Sequence, residues 1–164
     1  MKRAFSFLLG WLLLGGFPFL APAAEWGGIT PGVSTPESVR ERYGAPSQES
    51  RQTQEGYNTI RWVYEGARAP VGMKRMVVDF GLLTPQGYRP NLVRSFILEP
   101  KPQIFGQAIV LEGWGSPDRV GNQDGQELFF YKSGLIVSFP QGSTDASELL
   151  FTIPQPEPPA PAAK

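Results

Sequence analysis

The octapeptide VRERYGAP at residues 39–46 returns as VLEGWGSP at residues 110–117, with valine, glutamate, glycine and proline in register and Trp114 answering Tyr43. A glycine followed two positions later by proline stops a helix, because glycine accepts the left-handed cap and proline cannot continue the ladder. In the first copy the start is also written out. Ser34-Thr35-Pro36-Glu37 offers a hydroxyl N-cap, a proline in the first turn and an acid near the positive end of the helix dipole. Val39 and Tyr43, four apart, share one face of this short helix. The second start is weaker: Gly106 stands where Thr35 stood, and Ile104, which answers Val33, is placed to staple the turn from outside. Ile109-Val110-Leu111 also fits a strand, but the aligned stop favours a helix.

Strand signals follow each stop. In the first copy they are residues 57–65 (YNTIRWVYE), 73–80 (MKRMVVDF) and 91–99 (NLVRSFILE), separated by glycine- and proline-bearing loops. In the second they are residues 127–132 (ELFFYK), 135–139 (LIVSF) and 148–153 (ELLFTI), with Ser133-Gly134 suited to a tight hairpin. One helix on three strands buries too little apolar surface to stand alone, whereas two copies can share a sheet. The expected fold class is therefore α+β: two tandem helix-plus-three-stranded antiparallel meander repeats, residues 24–101 and 102–153, forming a shared sheet with the helices on one face.

The two ends read differently. Lys2 and Arg3 precede an apolar run from Ala4 to Leu20, and Ala21-Pro22-Ala23 presents small residues for cleavage, so residues 1–23 are expected to be a secretory signal peptide. A retained anchor is the rival reading, and the glycines and prolines at the far end of the run favour removal. Residues 154–164 (PQPEPPAPAAK), almost wholly proline and alanine, are expected to be an extended, disordered proline-rich tail.

Composition then closes several chemistries. Of 15 basic and 15 acidic residues, cleavage removes Lys2 and Arg3, leaving 13 against 15 and a net charge of −2. A near-neutral chain with no basic stripe gives no electrostatic reason to bind nucleic acid. There is no cysteine and no histidine, so no disulfide, thiol nucleophile, lipidated cysteine, histidine-based triad or ordinary zinc, copper or haem site is expected. Asp118, Asp124 and Glu127 cluster within residues 117–127, but the spacing is not that of an EF-hand, and a turn with solvated charges is the simpler reading. Glu41 and Glu112 recur at exposed helix positions. With no nucleophile–base pair and no phosphate-cradling loop, no catalytic residue, metal or cofactor is expected, and the chain reads as a non-enzyme.

Thr35-Pro36-Glu37-Ser38-Val39 followed by Tyr43-Gly44-Ala45-Pro46 resembles the SmpA/OmlA (BamE-like) domain of bacterial envelope proteins. Two such units in tandem are similar to the β-lactamase inhibitor protein family, whose fold duplicates a helix-plus-sheet unit. The resemblance implies an exported, non-enzymatic protein-binding module of the bacterial cell envelope, periplasmic or secreted, serving as an outer-membrane assembly or scaffolding accessory. The alternative it implies is a secreted proteinaceous inhibitor of an extracellular hydrolase such as a β-lactamase. Either way the partner is a protein, with no stable membrane anchor after signal cleavage.

Strand alternation nominates a site. Met76, Val78 and Phe80 form an apolar set expected beneath the helices, while Arg75, Val77 and Asp79 form a mixed set expected to face outward. Trp62 and Tyr64 share one face, and Phe129 and Tyr131 share the corresponding one. Pointing away from the helices, these four make an aromatic interface patch; pointing inward, they are core. The candidate protein-binding residues are thus Trp62, Tyr64, Phe129 and Tyr131, with Arg75 and Asp79 beside them.

Overall fold

The computed structural model describes residues 22–154. Most of the expected signal peptide and the tail beyond Pro154 lie outside the described residues. Helix α1 (Pro36–Tyr43) starts at Thr35, which trades hydrogen bonds with Ser38: the Ser38 amide donates to Thr35 Oγ1 at 3.4 Å and the Thr35 amide to Ser38 Oγ at 3.0 Å. Helix α2 (Gln107–Trp114) has no side-chain cap, because Gly106 carries none. A later loop replaces it, with the Gln107 amide donating to the Thr144 carbonyl at 2.8 Å. Both helices end on glycines with positive φ, +76° at Gly44 and +79° at Gly115.

Four strands follow each helix: β1 (Gln48–Gln54), β2 (Tyr57–Glu65), β3 (Met73–Thr84) and β4 (Gly87–Pro100), then β5 (Arg119–Gln123), β6 (Gln126–Phe130), β7 (Leu135–Pro140) and β8 (Glu148–Thr152). They form one sheet in the order β1-β2-β3-β4-β8-β7-β6-β5, and every neighbouring pair is antiparallel. The halves meet at β4 and β8, where Phe96 stacks on Phe151 with ring centroids 4.3 Å apart.

This architecture overturns the expected α+β class of three-stranded repeats. Among the described residues the fold is dominated by an eight-stranded antiparallel sheet, and its α-helices are two segments of eight residues each. The strands missing from the sequence reading are β1 (QESRQTQ) and β5 (RVGNQ), the two edges. Edge strands with polar residues on both faces carry no alternation signal; backbone pairing to β2 and β6 holds them in place. Their turns did carry one. Glu55-Gly56 and Asp124-Gly125 are two-residue hairpin loops with positive φ at both positions, the form that an acid-glycine pair accommodates. The stretch read as a solvated turn at residues 117–127 is therefore mostly a hairpin.

The core lies on one side of the sheet. Val39 and Val110 from the helices and Ile29 from the amino-terminal segment pack with Trp62, Tyr64, Met76, Val78, Phe80, Phe96, Leu98, Leu135, Val137, Phe139, Leu149 and Phe151. Trp26, stacked on Tyr43 at 6.4 Å, closes this layer beside α1, and Trp114 reaches Phe151 edge-on at 6.0 Å.

Candidate protein-binding face

The four aromatic candidates lie on the helix side, in the core. Trp62, Tyr64, Phe129 and Tyr131 are 4%, 0%, 7% and 7% exposed, so the aromatic patch is corrected to a structural layer. The physical reason is that all four rings bury large apolar areas while the polar ends of Trp62, Tyr64 and Tyr131 find partners at the helix ends and sheet edge. Tyr64 donates to the Gly44 carbonyl at 3.1 Å, and Tyr131 donates to Gly115 at 3.0 Å. Trp62 Nε1 donates to Glu49 Oε2 at 2.9 Å, with the Arg40 guanidinium 4.8 Å above its ring. Phe129 packs on Phe139 at 4.9 Å. Burial pushes the Tyr64 phenol up to about 12 and raises that of Tyr131.

Arg75 and Asp79 lie on the opposite face. Register places a transverse row there: Gln48, Val63, Val77, Ile97, Leu150, Ile136, Phe130 and Arg119, one residue from each strand in spatial order. Six consecutive members are apolar. Val63 and Val77 are buried beneath neighbouring side chains, and Ile97, Leu150, Ile136 and Phe130 are partly exposed. Both helices lie on the other side, against Trp62, Tyr64 and Phe151.

Charges flank this row, with the excess sign differing from side to side. One residue pair up each strand stand Glu65, Arg75 and Glu99, paired in register, with Glu148 on β8 alongside. Arg75 Nη1 donates to Glu99 Oε1 at 3.1 Å, and its Nε lies 3.7 Å from Glu65. Burial, and then the nearby Glu99 carboxylate, raise the pKa of Glu148. On the other flank Arg61 forks onto Asp79, Nε to Oδ1 at 2.7 Å and Nη2 to Oδ2 at 2.9 Å, and Arg94 stands 3.8 Å from the same carboxylate. The first flank thus holds three acids and one base, the second two bases and one acid. Toward the β5 edge the face dips into a hollow of about 280 Å³ lined by Gln123, Asp124, Gln126, Leu128, Phe130, Ile136 and Ser138.

The sequence reading named Arg75 and Asp79 but missed the apolar row beside them. A signal existed in Met76-Val77-Val78, Phe96-Ile97-Leu98 and Leu149-Leu150-Phe151. Uninterrupted apolar runs mean strands with both faces apolar. Two short helices cover only one of those faces.

No protein-family model matches the chain, and no curated protein matches it. Among solved structures, the chain is similar to a DUF4309 family protein (YjgB) from Bacillus subtilis, at a TM-score of 0.44 and 9% sequence identity over 77% of this chain and 82% of that one.

Proposed function

We propose that the chain is an exported, non-enzymatic protein-binding module of the bacterial cell envelope, an assembly or scaffolding accessory that holds its partner on the open face of the sheet. The observation that carries this reading is the six-residue apolar row running across the strands opposite the helices, with ion pairs on both flanks. Four adjacent members of the row, Ile97, Leu150, Ile136 and Phe130, stay partly exposed with no helix over them, and an apolar strip rimmed by charged and polar residues is the composition of a protein interface. Export is supported by Lys2-Arg3 ahead of the apolar run and the small residues at positions 21–23. The resemblance of residues 35–46 to SmpA/OmlA (BamE-like) domains supports the envelope setting. No helix among the described residues is long and apolar enough to cross a membrane.

The test is affinity capture from envelope and culture-medium fractions, wild type beside Ile97→Asp, with near-ultraviolet circular dichroism confirming that the variant is folded. A protein retained by wild type and lost by the folded variant is the expected result. Identical capture by both places the working surface elsewhere and refutes the reading.

A further inference from the structure

The charges on the open face have a symmetry that selects an occupant. On β2, Arg61 and Glu65 stand two residues to either side of Val63; on β3, Asp79 and Arg75 stand likewise about Val77. On β4, Glu99 lies on one side of Ile97, with Ser95 and the bulged Arg94 on the other. The row is thus an axis about which each of these strands reverses its sign. A second molecule turned by a half-turn about that axis lays the partly exposed part of its row, Ile97, Leu150, Ile136 and Phe130, on the same residues of the first. It also exchanges the flanks: Glu65 comes over Arg61, Arg75 over Asp79, and Glu99 over the side carrying Arg94. A half-turn about the strand direction instead sets β4 over β8 and brings Glu99 over the copy's Glu148, like charge on like charge.

We infer that the partner of the open face is a second copy of this chain, docked sheet to sheet about an axis along the Val63–Val77–Ile97–Leu150–Ile136–Phe130 row. This rests on the reading of that face as a protein-binding surface. The arrangement is isologous, so the face needs only to complement itself. Aligned stacking of twisted antiparallel sheets, about 30° from parallel, is the usual packing of two such faces. Eight strands at about 4.8 Å spacing, over about five residues each, cover roughly 600 Å² per copy, or about 1,200 Å² in total. That lies at the lower end of specific interfaces, so the dimer is reversible and concentration-dependent.

The protein to test is the full chain expressed with its leader and recovered from the exported fraction. Sedimentation equilibrium is expected to show monomer and dimer in exchange, with the dimer weakened by salt. Glu99→Lys, which sets a cation over the copy's Arg94 side, is expected to weaken it on the order of tenfold. The chain has no cysteine, so Ile97→Cys introduces a single thiol. Residues on the axis meet their own counterparts, and a short bismaleimide is expected to link Ile97→Cys into dimers while leaving Glu41→Cys, on the helix side, monomeric. A wild type that stays monomeric at every concentration, together with an unlinked Ile97→Cys, overturns the inference. The capture experiment then separates the two failures. If Glu99→Lys or folded Ile97→Asp still loses a partner that the monomeric wild type retains, the face binds a different protein. If neither variant loses anything, the reading of the face fails as well.

Discussion

The hydroxyl of Tyr64, on the second strand after α1, donates to the carbonyl of Gly44, the residue that stops α1. Tyr131 repeats the latch on Gly115 at the end of α2. The recurring glycine-proline stop is therefore half of a joint whose other half is a tyrosine about 20 residues downstream in one copy and 16 in the other. A helix of two turns is marginal by itself, and this bond fixes its end to the sheet.

Tyr64→Phe removes one net hydrogen bond and is expected to cost about 1 kcal/mol in urea unfolding near neutral pH. It also removes a pH dependence. The folded phenol is pushed up to about 12 from an ordinary value near 10.0. Between those values the unfolded chain has given up the proton and the folded chain still holds it, so wild-type stability falls as pH rises. The variant's stability is expected to fall less steeply over that range, and parallel curves for the two proteins refute the assignment.

Gly44→Ala tests the stop itself. Nothing lies within 4 Å of an added Cβ, so space is not the obstacle. Gly44 sits at φ +76° and ψ −163°, a conformation that side-chain-bearing residues rarely adopt. A loss of about 1–3 kcal/mol is expected from backbone strain alone, measured by thermal unfolding.

Trp62→Ala is a core truncation. It empties a buried site against Phe80, whose ring lies 4.8 Å away, and removes the indole donor to Glu49 on the edge strand, which keeps only Arg40 at 3.9 Å. A loss of about 3–5 kcal/mol is expected in the unfolding free energy from urea titration. A variant as stable as wild type refutes its placement beneath α1.

Asp79→Ala is expected to cost roughly 2 kcal/mol, because it strands Arg61 and Arg94 beside each other with no carboxylate between them. Arg61→Ala should cost less, since Arg94 remains 3.8 Å from Asp79. Paired urea titrations of the two variants check the ordering.

Glu148 sets an acid limb. Its folded pKa is raised above the ordinary value of 4.5, first by burial and then by Glu99 across from it on β4, with Ser138 its neighbour on β7. Through the window above 4.5 the folded chain binds more protons than the unfolded one, so this group's contribution declines as pH rises. Glu148→Gln is expected to raise the melting temperature at about pH 7 and to leave it unchanged at about pH 3.5, where both states are protonated. Equal gains at both pH values point to packing instead.

Some of this was legible in one dimension. The Thr35 cap, the Gly44 and Gly115 stops and the apolar strand runs are local events, set by backbone sterics and short-range hydrogen bonding that a window of a few residues contains. Alternation likewise showed that Trp62 pairs with Tyr64, and Arg75 with Asp79, on shared faces. It could not say which face the helices cover, because a period of two is the same seen from either side.

The sequence by itself determined where both helices stop, where the first begins and which strand residues travel together, because those depend on neighbours along the chain. Only the tertiary structure decided that β1 and β5 pair as polar edges, that the tyrosines latch the helix ends, and that β8 inserts beside β4 to align six apolar residues in one row. Each of these depends on long-range pairing: the partner's backbone, the depth of burial and the strand order are supplied by residues far away in the chain, and no local propensity encodes them.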